Sequence, residues 1–156
     1  MTAEELIISA GDPRSADAIL LMRELSDCLH AITGDGGQSS FNVEDICVPG
    51  SLFAIVRNLQ GDGVGCGAFR PMDEKTAELK RMYVRKKSIG AGSKLLSYLE
   101  HQAAMIGYEA LRLETRLANQ KAVAFYERNG YLRIPNYGRY QSRTEAVCYE
   151  KRLNAK

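Results

Sequence analysis

The sequence has few of the features that mark membrane, secreted or metal-binding proteins. It contains no tryptophan, two histidines, four cysteines, and no apolar run approaching the roughly 20 residues of a membrane span. The cysteines are far apart and lack a Cys-x-x-Cys motif: Cys28, Cys47, Cys66 and Cys148. We therefore expect buried thiols in a reducing compartment, with a metal site as the remote alternative. No early apolar stretch follows a basic leader, which predicts a soluble, cytoplasmic protein.

The charge is nearly balanced. The chain carries 21 Lys and Arg against 19 Asp and Glu, and this net charge of +2 does not indicate a nucleic-acid partner. Arg81, Arg85, Lys86 and Lys87 leave a weak nucleic-acid-binding domain as an alternative, although the sequence lacks a stacking-aromatic motif. A length of 156 residues with 45% apolar residues predicts one domain, residues 1–156, around one core.

Local patterns predict strands and helices along most of the chain. The predicted strands are residues 4–10, 51–59, 63–70, 77–84, 109–115, 131–134 and 146–151. The predicted helices lie between Pro13 and Gly34, at 90–106 and at 120–129, with a helical turn at 43–46. Apolar spacing places Cys28 and Ile32 on the buried face of the first helix, and Ile106 on that of the second. Strands alternate with helices only in the second half, which predicts a mixed α/β sheet.

Residues 82–94 combine a strand end, a basic turn with glycines and a helix start. Several backbone N–H groups would then point outward at the positive end of a helix dipole, which suits an anion such as a pyrophosphate. We expect glycine at Gly90 and Gly92 because a side chain there would keep phosphate oxygens away from the backbone. Lys87 and Lys94 could add positive charge. The alternative is a plain tight turn, because a Gly-x-Gly pattern is weak evidence by itself.

A second motif follows after an intervening strand, in the stretch NQKAVAFYERNGY. With it, the sequence resembles the GNAT acetyltransferases over most of the chain, and best over about residues 50–152. Their signature Q/R-x-x-G-x-G/A is similar to residues 87–92, and N-x-x-A-x-x-x-Y-x-x-x-G-F/Y matches residues 119–131 at every defined position. Two features depart from the family pattern. Lys87 replaces the usual Gln or Arg, and the loop between Val84 and Gly90 is shorter than usual.

The resemblance implies a mixed, mostly antiparallel sheet flanked by helices on both faces, and acetyl-CoA as co-substrate without a metal. The resemblance implies that backbone groups of Met82, Tyr83 and Val84 bind the pantetheine arm, together with Asn119, and that Tyr126 contacts the sulfur. The pyrophosphate would be bound by the backbone N–H groups of Lys87, Ser88, Ile89, Gly90, Ala91, Gly92 and Ser93. Asn119 could instead, or in addition, be the N-cap of its helix.

Acetyl transfer to an amine needs a proton for the departing sulfur and a group that takes a proton from the amine. We predict Tyr126 as the general acid; its alternative is a packing role on its helix. The resemblance implies Glu78 as the base, because the family commonly places a glutamate at the start of the strand that leads into the CoA loop. Its alternative role is a solvated charge near Lys80 or Arg81, and Glu114 is the second candidate for the base. An amine that arrives neutral would need no strong base. A backbone N–H near Met82 is expected to meet the oxyanion. No Ser-His-Asp or Cys-His arrangement is present, so we expect direct transfer.

The acceptor site is expected in the segments 34–45 and 135–143. Its candidate residues are Phe41, Arg70, Tyr137 and Tyr140. The expected partner is a small-molecule or protein amine, with neither a nucleic acid nor a membrane, and the resemblance leaves a homodimer open. A non-catalytic acyl-CoA sensor or interaction module is the alternative function, distinguished by whether Tyr126 and a base face the thioester.

Overall fold

The computed structural model describes residues 5–37, 41–85 and 90–153. In this part of the chain, seven strands form one sheet: β1 Leu6–Ala10, β2 Leu52–Asn58, β3 Gly63–Pro71, β4 Thr76–Val84, β5 Ala110–Arg116, β6 Leu132–Ile134 and β7 Ala146–Arg152. Their order across the sheet is β1-β2-β3-β4-β5-β7-β6. β4 and β5 pair in parallel, and the other neighbouring strands are antiparallel.

Helices cover both faces of this sheet. The described residues form α1 Ala16–Thr33, α2 Ala91–Ile106 and α3 Gln120–Arg128, with short 3-10 turns at Val43–Ile46 and Gly138–Tyr140. Because successive residues of a strand face opposite sides, β2 shows which helix covers which face. Ala54 and Val56 pack in a buried cluster with α2 and α3, whereas Phe53 and Ile55 pack in one with α1. This architecture confirms the predicted mixed, mostly antiparallel sheet flanked by helices.

The two long helices end as their sequences predict, but their buried faces are shorter than predicted. Gly34 ends α1 in a left-handed conformation with φ 79°, and Gly107 ends α2. Ile32 and Ile106 are 47% and 51% exposed, and Cys28 is exposed as well, because each lies in the last turns of its helix, beyond the buried stripe. The prediction of four buried thiols is therefore wrong for Cys28 and also for Cys47, which lies exposed just after a 3-10 turn. Cys66 and Cys148 are buried as predicted.

The sheet opens between its two central strands. β4 pairs with β5 from Thr76 opposite Ala110 to Glu78 opposite Arg112. Beyond this point β4 stays paired with β3 as far as Val84, and β5 stays paired with β7 as far as Arg116. Each strand thus follows its outer neighbour, and a gap separates their second halves.

A bulge in β4 lies beside this gap. The register between β3 and β4 shifts so that Arg81 and Met82 stand opposite Gly67, and Arg81 adopts φ 57°. A Cβ atom on Gly67 would lie 2.5 Å from the sulfur of Met82 and 3.1 Å from Cδ1 of Leu99, so glycine leaves room for these side chains beside the bulge. A bulge bends its strand and re-aims its side chains, which accounts for the separation of β4 from β5.

The re-aimed Arg81 side chain connects β4 to α1. Its Nη2 donates to the carbonyl oxygen of Met22 and to the hydroxyl of Ser26, both at 2.6 Å. Its guanidinium also lies 5.2 Å from the ring centre of Phe41. Arg81 is buried, and its Nε has no hydrogen-bond partner within the described ranges. These bonds fix α1 and the segment around Phe41 on one side of the gap.

None of the helices formed by the described residues has the length and apolar character that crossing a membrane requires.

Candidate active site

A cavity occupies the gap between β4 and β5 and receives residues from both sides of the sheet. Its lining includes Leu25 and Leu29 of α1, Phe41, Lys80, Arg81 and Met82 of β4, Leu113, Glu114 and Arg116 of β5, Asn119, Ala122 and Tyr126 at α3, and Tyr140 and Arg143. Since α1 and α3 cover opposite faces, the cavity connects the two faces through the sheet. One ligand could therefore enter from each side and meet the other between the strands.

Tyr126 faces this cavity from α3. Its side chain is 8% exposed, and its ring makes edge contacts with those of Phe125 and Tyr131. Its hydroxyl has no hydrogen-bond partner within the described ranges, whereas the hydroxyl of Tyr131 donates to Glu100 at 2.8 Å. Burial raises the pKa of Tyr126 above that of free tyrosine, so the phenol stays protonated at neutral pH. Tyr126 therefore holds a proton that it can donate into the cavity.

Asn119 caps α3 and lines the same cavity. Its Oδ1 accepts a hydrogen bond from the N–H of Ala122 at 3.2 Å, which satisfies one of the free donors at the helix start. The expected cap is thus present, while the contact of Asn119 with pantetheine stays a prediction. The side-chain amide can still donate through its Nδ2.

Glu114 is the carboxylate of β5 that lies in the cavity. Burial raises its pKa, and the nearby charges of Lys80 and Arg116 partly oppose that shift. Its Oε2 lies 3.8 Å from Nε of Arg116. A buried carboxylate with a raised pKa is a better proton acceptor than an exposed one.

Glu78 lies outside this cavity, in a neighbouring pocket with Arg70 and Tyr137. It is 3% exposed, so the alternative role of a solvated strand charge is wrong. Its carboxylate accepts hydrogen bonds from Nε of Arg70 at 2.9 Å and from the hydroxyl of Tyr137 at 2.6 Å, and Lys80 Nζ lies 3.8 Å away. These donors occupy both carboxylate oxygens. Its role as the base stays a prediction that this geometry does not favour.

The four predicted acceptor residues divide between the two pockets. Phe41 and Tyr140 line the cavity with Tyr126, whereas Arg70 and Tyr137 are held by Glu78. Sequence reasoning did not name Lys80 as a lining residue, and it included Arg143 only as the last residue of the predicted acceptor segment 135–143. Lys80 donates to the hydroxyl of Tyr140 at 3.0 Å, and burial lowers its pKa. Its position two residues after Glu78, on the same strand face, was the available signal.

The predicted pyrophosphate site is described only from Gly90 onward, because Lys87, Ser88 and Ile89 lie outside the described residues. Gly90 is the N-cap of α2 and has φ 77°. No described side chain caps this helix start, so the N–H groups of Ala91, Gly92 and Ser93 donate to no capping side chain there and can donate to a ligand. The predicted reason for glycine at Gly92, close approach of phosphate oxygens to the backbone, stays a prediction. A Cβ atom there would lie 3.2 Å from the ring of Phe125, so the packing of α2 against α3 favours glycine.

The predicted pantetheine strand consists of the last residues of β4. Met82 lines the cavity, and Tyr83 and Val84 pair with Cys66 and Gly65 of β3. The side chain of Tyr83 points toward α1, where its hydroxyl donates to Glu24 at 3.0 Å. The backbone edge that could receive a ligand faces β5.

Comparisons with known proteins agree with this geometry. Residues 21–131 match the model of the acetyltransferase (GNAT) family. The chain is 28% identical over 149 residues to an IAA acetyltransferase of Azospirillum brasilense, which covers 94% of this chain and 97% of the relative. It superimposes on a candidate acyl-CoA N-acyltransferase of Klebsiella pneumoniae with a TM-score of 0.80 and 30% identity, over 96% of this chain and 98% of that one. It also shares its fold with a GNAT family acetyltransferase of Elizabethkingia anophelis that has acetyl-CoA bound, with a TM-score of 0.69 and 13% identity over 95% and 98% of the two chains.

The chain belongs to the acetyltransferase (GNAT) family. It is an acyl-CoA-dependent N-acetyltransferase, which transfers an acetyl group to an amine acceptor. The alternatives of a nucleic-acid-binding domain and a non-catalytic module are not needed to explain its fold or its cavity.

The Glu78 network yields a stability prediction. Glu78→Gln should lower the free energy of unfolding by about 2 kcal/mol, because it removes the charge-assisted hydrogen bonds of a buried carboxylate and leaves the half-buried Arg70 with Asp45 as its remaining anionic partner. The matched control is Glu44→Gln, which removes the same charge from an exposed ion pair with Arg14 and should change stability little. Urea unfolding followed by circular dichroism measures both. Equal midpoints for the two variants would contradict a structural role for Glu78.

Proposed function

We propose that acetyl-CoA binds in the gap between β4 and β5 and that the amine reaches it from the α1 side of the sheet. One observation carries the proposal: the two strands separate after Glu78, and Tyr126 and Glu114 both line the cavity between them. With a ligand entering from each face, the acetyl group would pass directly from one to the other.

The separated edge of β4 suits the pantetheine arm. Beyond Glu78, the β5 side of β4 has no partner strand among the described residues. An extended chain of amide groups can add to such an edge as a further strand, with Met82, Tyr83 and Val84 supplying backbone groups. The uncapped start of α2, at Ala91, Gly92 and Ser93, would then take the pyrophosphate. The predicted contribution of Lys87, Ser88 and Ile89 lies outside the described residues.

Tyr126 supplies the general acid in this proposal. Acetyl-CoA provides an acetyl thioester, whose sulfur must leave when the C–N bond forms and the C–S bond breaks. Tyr126 donates its proton to that sulfur, and a backbone N–H of the bulge near Met82 polarises the carbonyl. The unpaired hydroxyl supports this role, because a merely packed tyrosine normally satisfies its O–H group.

Glu114 is the base that this geometry favours over Glu78. It lies in the cavity with Tyr126, whereas the oxygens of Glu78 are engaged by Arg70 and Tyr137. Glu114 takes a proton from the ammonium group of the acceptor, directly or through one water molecule, and leaves a neutral amine to attack. Glu78 then positions Tyr137 and Arg70 beside the acceptor side.

Tyr126→Phe should lower kcat by about 100-fold, because it removes the proton donor and keeps the packed ring. The dissociation constant of acetyl-CoA, measured by calorimetry, should stay nearly the same. The matched control is Tyr98→Phe on α2, which removes a hydroxyl outside the cavity lining and should leave kcat unchanged. Full activity of Tyr126→Phe with an accepted amine would refute its role as the acid.

The raised pKa of Glu114 predicts the pH dependence of the reaction. A base acts only when ionised, and burial favours the protonated form, so kcat/KM should rise with pH through a value above the ordinary glutamate pKa of about 4.3. This rise of kcat/KM should occur at the same pH for acceptors whose amines have different pKa values. Glu114→Gln should abolish the rise and lower kcat, whereas Glu78→Gln should retain the rise. If only Glu78→Gln abolished it, Glu78 would be the base.

A further inference from the structure

Arg143 is a cation of the cavity that no residue within the described ranges neutralises directly. Its guanidinium makes no hydrogen bond or ion pair in those ranges, and it lies 6.0 Å from the ring centre of Tyr140. The other cations there are engaged: Arg116 pairs with Asp35 at 2.8 Å, and Lys80 donates to Tyr140. Arg143 thus offers a guanidinium fork to a ligand in the cavity.

The backbone around Arg143 is held in place by Asn136. The Nδ2 group of Asn136 lies within hydrogen-bond distance of the carbonyl oxygens of Tyr140, Arg143 and Ala146, at 3.2, 3.0 and 3.1 Å. The N–H of Arg143 also donates to the carbonyl of Tyr140 at 3.0 Å. The loop is therefore ordered at the cavity wall, and less entropy is lost when its arginine binds a ligand.

The cavity is lined by groups of opposite charge, since Asp35 and Glu114 share its wall with Arg143. The hydrogen bond from the Gly37 N–H lowers the pKa of Asp35, and burial raises the pKa of Glu114. The charge of Arg143 adds to the first shift and partly opposes the second. Glu114 is also the group proposed to receive the proton of the acceptor amine. A ligand with a cationic amine and an anion a few bonds apart would match Glu114 with one end and Arg143 with the other.

The wall of the cavity on the α1 side includes an apolar patch beside the polar Thr33 and Arg81. The patch is formed by Leu25 and Leu29 of α1 and by Phe41, whose ring lies over the guanidinium of Arg81. An apolar side chain of the acceptor could bury its surface here.

From these observations we propose that the acceptor is an amine that also carries a carboxylate, namely an α-amino acid with an apolar side chain, whose carboxylate is bound by Arg143. The proposal rests on the proposed function, because it assigns the amine end to the same cavity. Arginine is suited to the task because its planar fork can donate two parallel hydrogen bonds to a carboxylate.

The test compares amino acids with their decarboxylated amines in an assay of CoA thiol release. The pairs are leucine with 3-methylbutylamine, methionine with 3-methylthiopropylamine and phenylalanine with 2-phenylethylamine, each at the same free-amine concentration. At least one amino acid should have a kcat/KM more than about tenfold above that of its partner amine, since a charge-assisted hydrogen bond is lost with the carboxylate.

Variants of Arg143 test whether this residue binds the carboxylate of the acceptor. Arg143→Gln should reduce the ratio of the two kcat/KM values by about 10- to 100-fold, and Arg143→Lys should reduce it less. Arg133→Gln is the control, because it removes the same charge from an exposed residue of β6 outside the cavity and should leave the ratio unchanged. Binding of CoA, measured by calorimetry, reports whether each variant is folded.

The outcomes separate this inference from the function on which it rests. Equal or faster turnover of the decarboxylated amine in every pair, or an unchanged ratio in Arg143→Gln, would overturn the carboxylate proposal and leave the acetyltransferase mechanism standing. Transfer to peptide lysines together with no turnover of any amino acid would also overturn it. Failure of the protein to bind acetyl-CoA would overturn the proposed site and this inference together.

Discussion

The separation of β4 from β5 is the constraint on which the rest of the site depends. A continuous sheet would pair the backbone of residues 79–84 and leave no route between its two faces. The bulge opposite Gly67 turns β4 away, while β5 follows β7 to Arg116. The backbone groups left at this edge and the side chains around the opening then belong to one cavity. The position of the site thus follows from how the strands pair, and the same pairing places its individual side chains around the opening.

Buried charges hold the α1 side of the opening. On the α1 side, Arg81 ties β4 to the backbone of Met22 and to Ser26, at the cost of one unpaired Nε among the described residues. On the same side, Glu78 accepts hydrogen bonds from Arg70 and Tyr137, and the bond from Tyr137 holds the loop after β6 against the sheet. Removing one member of such a network leaves a buried charge without its partner, which makes these residues sensitive to substitution. In the proposed mechanism they shape the acceptor side, while Tyr126 and Glu114 exchange the protons.

The sequence predicted the helices and strands well where the spacing of apolar residues and the positions of glycines indicate the same boundaries. The helix ends at Gly34 and Gly107 and the alternating strands followed from local rules, and the motif of residues 119–131 placed Tyr126 and Asn119 in the cavity. The exposed Ile32 and Ile106 were predicted wrongly because periodicity does not tell where a helix leaves the sheet. The sequence analysis favoured Glu78 over Glu114 from its position on the strand. That position does not show that Arg70 and Tyr137 already donate hydrogen bonds to the Glu78 carboxylate. Arg143 was predicted only as part of the segment 135–143, because the conformation of this loop depends on hydrogen bonds from Asn136 that have no local sequence pattern. The single-domain organisation and the cytoplasmic location stay predictions.

Amide hydrogen exchange with and without CoA tests most directly whether the gap receives the ligand. If the pantetheine arm adds to the free edge of β4, saturating CoA should slow exchange in residues 80–84 and at the start of α2, and leave β1 and β2 unchanged. Protection that appears elsewhere, with residues 80–84 exchanging as fast as in the free protein, would contradict the account.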